Sequence, residues 1–153
     1  MKRFEFLDIS GDAGIVAFGR DLKELFENAA AGMYSLITNV ESAREKESVY
    51  IEVGKDSLES LLVGWLNELI FRFDVDGFIA KRISIKEFSG PPGEGASVQQ
   101  PGWEPFRVSA FLSGEEFDPA LHEGRLLLKA ATYHNLRVEK RGDIWRSEII
   151  FDV

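Results

Sequence analysis

Residues 49–73, VYIEVGKDSLESLLVGWLNELIFRF, change period partway along, and that change decides the fold. Val49, Ile51 and Val53 alternate with other residues, as a strand does when successive side chains point to opposite faces. Asp56-Ser57-Leu58-Glu59 then supplies side chains of the kind that cap a helix N-terminus. Leu58, Leu61, Leu62, Trp65, Leu66, Leu69, Ile70 and Phe73 follow at helical spacing, which predicts a helix beginning near Ser57. Its apolar stripe is broad enough to lie across a sheet.

The same succession of signals occurs nearer the N-terminus. Residues 3–10 alternate, with Phe4 and Phe6 on one side; Gly11-Asp12-Ala13-Gly14 breaks the pattern and residues 15–18 resume it, predicting strand, tight loop, strand. Asp21-Leu22-Lys23-Glu24 reads as a capping box, and Leu22, Leu25, Phe26, Ala29, Met33, Leu36 and Ile37 form a first amphipathic helix. A charged connector at 41–47 leads into the strand at Val49. The second half reads as strands at 78–88, 106–112, 126–138 and 144–153, with Arg141-Gly142-Asp143 as the last hairpin turn. The run SGPPGEGASVQQPGW at 89–103 holds three of the five prolines, so an exposed, mobile loop is expected there within a single domain spanning 1–153. The fold class is α+β: a mostly antiparallel sheet with two amphipathic helices packed on one face.

A chain of 153 residues that is 44% hydrophobic is long enough to bury a real core as one domain. It contains no cysteine, which excludes disulfides, thiolate nucleophiles and iron–sulfur sites. The formal net charge of −8 argues against a protein that grips a phosphate backbone by itself, so RNA is expected only indirectly, through a partner. Met1-Lys2-Arg3-Phe4-Glu5 runs straight into the alternating pattern with no long apolar stretch; no membrane partner and a cytoplasmic location are the expectations.

Few residues carry chemistry. The glycines at 90–95 lack the Gly-Lys-Ser/Thr of a phosphate loop. The only histidines are His122 and His134, and no serine or threonine sits in a nucleophile elbow, which leaves a Ser-His-Asp hydrolase without support. A stand-alone metal-dependent hydrolase lacks a general base and a cleft. A lone histidine at a strand end, such as His134, is more often a packing or hydrogen-bonding residue than a functional one, and the same holds for Lys129. Asp12 lies in a glycine-flanked loop where backbone can approach a ligand closely, and Asp152 follows Ile149-Ile150-Phe151, on the strand face opposite Phe151. Taken singly, each acid is either solvated or a ligand. If the two meet, carboxylates about 4 Å apart repel by roughly 4 kcal/mol at an effective dielectric of 20, and a bound cation reverses that sign. Oxygen ligands without cysteine favour calcium, magnesium or manganese.

Lys129-Ala130-Ala131-Thr132-Tyr133-His134-Asn135-Leu136, followed by Trp145 and Ile149-Ile150-Phe151-Asp152-Val153, resembles the C-terminal hallmark of the archease family. Asp12-Ala13-Gly14-Ile15, Leu25-Phe26-Glu27-Asn28-Ala29-Ala30 with Gly32-Met33, and Leu61-Leu62 with Trp65-Leu66-Asn67-Glu68-Leu69 fall in the family's order across nearly the whole chain. The resemblance implies a strand-helix-strand-strand type fold. It also implies a non-enzymatic accessory protein of an RtcB-type RNA ligase in tRNA splicing and RNA repair, which promotes GTP-dependent guanylylation of the ligase and its multiple turnover. It makes Asp12 and Asp152 the acids of a metal site, with calcium first and magnesium or manganese as alternatives. The Val153 backbone or terminal oxygen completes that site, Lys129 is its charged neighbour, and His134 is a candidate contact to partner or nucleotide. Two departures stand out. Ile9 and Ser10 occupy positions where the family carries histidine and threonine, leaving oxygen ligands alone, and the loop at 89–103 has no counterpart. The rival reading is a general protein-interaction or chaperone-like module without a functional metal site.

Overall fold

The computed structural model describes residues 1–9, 11–90 and 104–153. Ser10 and most of the expected loop at 89–103 fall outside the described residues. The described elements are β1 (Phe4–Leu7), β2 (Ala13–Gly19), α1 (Leu22–Ile37), β3 (Glu47–Lys55), α2 (Leu58–Asp76), β4 (Phe78–Ser89), β5 (Phe106–Glu116), β6 (Ala130–Ala131), β7 (Arg137–Arg141) and β8 (Ile144–Asp152), with a short 3-10 turn at Val40–Ser42. The α+β class and the strand, strand, helix, strand, helix, strands order hold.

Both helices start where their caps dictate. Asp21 Oδ1 accepts the Glu24 N–H at 2.8 Å, satisfying one of the donors that an isolated helix start leaves open. The reciprocal half of the expected box is absent, because Glu24 Oε1 instead accepts the Arg20 N–H at 3.0 Å. At α2, Ser57 is the cap and the box is completed by Ser60, not by an acid. Gly77, at φ 70°, ends α2 in the left-handed conformation that favours glycine.

The strands form two antiparallel sheets where one was expected. The first runs β1-β2-β8-β6, with β7 also paired to β8; the second runs β3-β5-β4. Helix α1 packs mainly against β2 and β4, and α2 against β3, β5 and β6, so each helix touches both sheets. Their facing sides merge into one apolar cluster in which Phe26, Tyr34, Trp65, Phe78 and Phe151 are almost completely buried. Trp65 Nε1 donates to the Phe26 carbonyl at 3.0 Å, tying α2 to α1 through the middle of that cluster.

Three strand boundaries differ from the sequence reading. β1 ends at Leu7, and β2 already begins at Ala13. β5 runs on to Glu116. The strand expected over 126–138 is replaced by an irregular segment, the two-residue β6, a turn, and β7. The physical reason lies at the end of α1, whose last carbonyls need donors. The Arg125 N–H donates to Ile37 O at 2.9 Å and the Leu126 N–H to Leu36 O at 3.0 Å, which commits this backbone to the helix end. Leu127 is left 77% exposed beside the buried Leu128.

Candidate functional site

Pairing of β2 with β8 brings the two sequence-predicted acids together. The last register pair is Ala13 with Phe151, so Asp12, in the bend just before β2, and Asp152, the last residue of β8, flank the same end of this ladder. Both acids are exposed, and Phe151 between them and the core is fully buried, as alternation requires.

On the other edge of β8, Ala130 pairs with Asp152 and the Lys129 N–H donates to the Asp152 carbonyl at 2.8 Å. Lys129 therefore touches Asp152 through backbone. Its exposed side chain belongs one register step beyond, opposite Val153, which is itself 42% exposed. His134 stands apart, on an exposed turn, with its backbone N–H donating to Thr132 Oγ1 at 3.3 Å. Among the described residues no side-chain hydrogen bond joins it to either acid. Ile9, in place of the family histidine, turns its side chain toward the strand: a Cβ on Gly14 would lie 2.8 Å from Ile9 Cδ1. An apolar cover thus lies next to the acid pair.

Two residues inside the quoted motifs hold this strand end in place, a role the sequence reading did not give them. Asn67 Oδ1, on α2, accepts the Ala131 N–H at 2.7 Å and so locks β6 to the helix beneath it. Thr132 Oγ1 donates to the Ile150 carbonyl at 2.9 Å while accepting the His134 N–H. A polar residue at position 67 between Leu66 and Leu69 was the available signal.

No group of three or more His, Cys, Asp or Glu side chains that could hold a metal ion occurs among the described residues. Asp12 and Asp152 supply two exposed carboxylates at one end of the β2–β8 ladder. This donor set fits a hard, oxygen-preferring cation, with waters or a partner supplying the remaining ligands.

A second polar cluster is buried under the turn after β5. Glu115 Oε2 accepts the Arg44 N–H at 2.6 Å and faces His122 Nε2 at 3.1 Å, while His122 Nδ1 accepts the Asp118 N–H at 2.8 Å. That last bond fixes the tautomer: Nδ1 is the acceptor, so Nε2 carries the proton and donates it to Glu115. With both ring nitrogens engaged, no lone pair is left for proton transfer, and the role is structural. The Arg44 N–H above all, then the His122 N–H and the Arg44 guanidinium, hold the Glu115 carboxyl below its ordinary value against the opposing effect of burial.

Comparison with known proteins agrees with this architecture. Residues 4–153 match the archease protein family. The archease of Methanosarcina acetivorans is 32% identical over 152 residues, covering 99% of this chain and 97% of its own. The archease of Pyrococcus abyssi is 32% identical over 154 residues and 100% of both chains. Protein 1598 of Methanobacterium thermoautotrophicum superposes with a TM-score of 0.78 at 30% identity over 100% of both chains. An archease from Thermotoga maritima, described as a possible chaperone, shares the fold at TM-score 0.61 and 19% identity, over 96% of this chain and 94% of its own. With a match that runs from β1 to the last residue and takes in both acids, the chain belongs to the archease family.

Proposed function

We propose that this chain is a non-enzymatic activator of an RtcB-type RNA ligase, and that Asp12 and Asp152 form a divalent-cation half-site that works at the ligase. The single observation that supports the reading is the β2–β8 register, whose last pair, Ala13 with Phe151, is flanked by the two exposed acids Asp12 and Asp152. Both carboxylates are exposed, so solvent screens most of their mutual repulsion, and a cation bound between them turns repulsion into attraction. Asp12 and Asp152 hold the ion, the Val153 backbone oxygen adds a third donor, and the exposed Lys129 ammonium meets a phosphate. When bound, the cation supplies positive charge where phosphate charge develops. Calcium, magnesium and manganese all accept such ligands, and the missing ones come from water, the ligase or its nucleotide. Guanylylation chemistry stays on the ligase, with GTP as its substrate, and RNA is met through that partner.

A half-site binds weakly, in the range of about 10⁻⁴–10⁻³ M typical of sparsely liganded calcium sites. At 10 mM cation and a Kd of about 1 mM, linkage stabilises the folded chain by roughly 1.4 kcal/mol. That corresponds to a rise in Tm of about 3–6 °C for a domain of this size. Asp152→Ala is expected to remove the rise. An equal rise in that variant would move the cation elsewhere on the chain.

The function itself is tested by mixing the chain with an RtcB-type ligase, GTP and cation. Faster guanylylation and multiple turnover are expected. No acceleration, together with suppressed aggregation of unrelated unfolded proteins, would favour the chaperone-like reading. That alternative has one local feature in its favour, the exposed cross-strand pair Tyr50 and Phe111, whose rings lie 5.1 Å apart. Two rings make a small patch compared with the several hundred Å² usual for a protein-binding surface.

A further inference from the structure

The outward face of the β7–β8 hairpin is the most arginine-rich feature of an otherwise acidic chain. Register places Arg137 opposite Glu148 and Glu139 opposite Arg146, with Arg141 opposite Ile144, so three guanidinium groups and two carboxylates share one face. Glu139 accepts from Arg141 at 3.1 Å and stands 3.6 Å from Arg137, while Glu148 accepts from Arg146 at 2.9 Å. Two carboxylates cannot satisfy three permanent cations, and one positive charge remains in excess. Arg137 carries it most openly: its side chain is 79% exposed and makes no hydrogen bond among the described residues.

These side chains line a cleft of about 360 Å³ whose rim is completed by Tyr133. Tyr133 is 60% exposed, so its ring is accessible from solvent. Its backbone is held, because the Leu136 N–H donates to the Tyr133 carbonyl at 3.0 Å across a turn whose Asn135 adopts φ 54°. Asn is one of the few residues that tolerate this left-handed conformation, so the turn is built and not merely loose. A presented ring beside surplus guanidinium groups combines a stacking platform for a base with forked donors for phosphate.

We propose that this cleft is a nucleotide-phosphate site: the phosphates lie on Arg137 and Arg141, with Arg146 behind them, and the base stacks on Tyr133. The acidic composition speaks against gripping a long phosphate backbone, but one cleft with excess positive charge suffices for one or two phosphates. The site is separate from the acid pair. Along the same face of β8, Glu148 lies four residues and Arg146 six from Asp152, about 13 and 20 Å at 3.3 Å per residue. The proposal therefore does not rest on the ligase reading or on any bound cation.

The occupant is either a free nucleotide or a nucleotide within an RNA strand, and calorimetric titration of the full chain in EDTA, where the acid pair holds no cation, separates them. The probes are GTP, inorganic triphosphate and a short single-stranded oligoribonucleotide. Binding that weakens with salt is expected. Joint replacement Arg137→Gln with Arg141→Gln should weaken it at least about tenfold and flatten the log–log salt slope for the oligoribonucleotide by about 1.4, at 0.7 per lost phosphate contact. Both side chains are largely exposed, so folding is not at stake. Tyr133→Ala should weaken GTP and oligoribonucleotide about fivefold or more while leaving triphosphate unchanged, the signature of stacking. Arg82→Gln, which removes one positive charge on β4 of the other sheet, should bind like the wild type. GTP binding without the oligoribonucleotide identifies a free nucleotide as the occupant, and the reverse identifies an RNA strand. Absence of binding for all three probes at millimolar concentration, or a double variant that binds like the wild type, overturns the proposal.

Discussion

Trp65→Ala is expected to destabilise the chain by about 3–5 kcal/mol, the cost of emptying a large aromatic site in a packed core. Trp65 is fully buried, and it is the residue through which α2 grips α1, by packing and by the Nε1 bond to Phe26 O. For a domain of this length the change lowers Tm by about 6–20 °C. Trp65→Phe separates the two contributions: it keeps most of the ring volume and removes the N–H, so roughly 1 kcal/mol of the loss should be attributable to the bond. Urea unfolding with an unchanged m-value reads both. A cost below about 1 kcal/mol for Trp65→Ala would mean that the two helices are held together by something other than this contact.

The Glu115 cluster gives the second large effect, and it depends on pH. Glu115→Ala removes the acceptor for the Arg44 backbone N–H and for the buried His122 ring N–H, and is expected to lower Tm measurably at pH 7. Because the folded-state pKa of Glu115 is depressed, its contribution is fully present above the unfolded carboxylate value near 4.3 and is lost as pH falls through the folded-state value. Glu27 acts in the opposite sense. Burial raises its pKa against the effect of the Ile85 N–H it accepts, so its contribution is greatest below the unfolded value and is lost as pH rises through the folded one. Melting followed from pH 7 down to pH 3 should therefore show a steeper acid fall in the wild type than in Glu115→Ala. Parallel curves would remove Glu115 as a source of acid sensitivity.

Much of this fold was legible because its signals are local. The caps at Asp21 and Ser57 and the 3.6-residue spacing after them fixed both helices, and alternation fixed β3, β4, β5 and β8 to within a few residues. What was lost depends on distant partners. Leu126 and Leu128 alternate like strand residues, yet the backbone beside them caps α1, and nothing in residues 126–129 encodes a helix end some ninety positions earlier. Division into two sheets likewise follows from β2 choosing β8 and β3 choosing β5, pairings between segments distant in sequence.

The candidate site divides in the same way. Asp12 and Asp152 stood out through their immediate neighbours, glycines in one case and buried apolar residues in the other. Their meeting required the β2–β8 register, which sequence spacing does not carry. Asn67 escaped notice because a polar residue on a helix reads as solvent-facing until the strand it bonds is known. Beyond the hairpin turn at Arg141-Gly142-Asp143, the Arg and Glu residues at 137–148 carry no signal of their own, and only cross-strand pairing shows that cations outnumber anions on one face.

The central claim is that the two acids at the end of the β2–β8 ladder are what the ligase partner uses. Its most direct test is the initial rate of guanylylation of an RtcB-type ligase by GTP and divalent cation, with wild-type chain, Asp12→Ala or Asp152→Ala added. Both acids are exposed, so their loss should leave melting in metal-free buffer nearly unchanged. The account predicts that either substitution lowers the wild-type acceleration by about tenfold or more, the usual cost of losing a charged group that acts where phosphate charge develops. Full acceleration by both folded variants would contradict it.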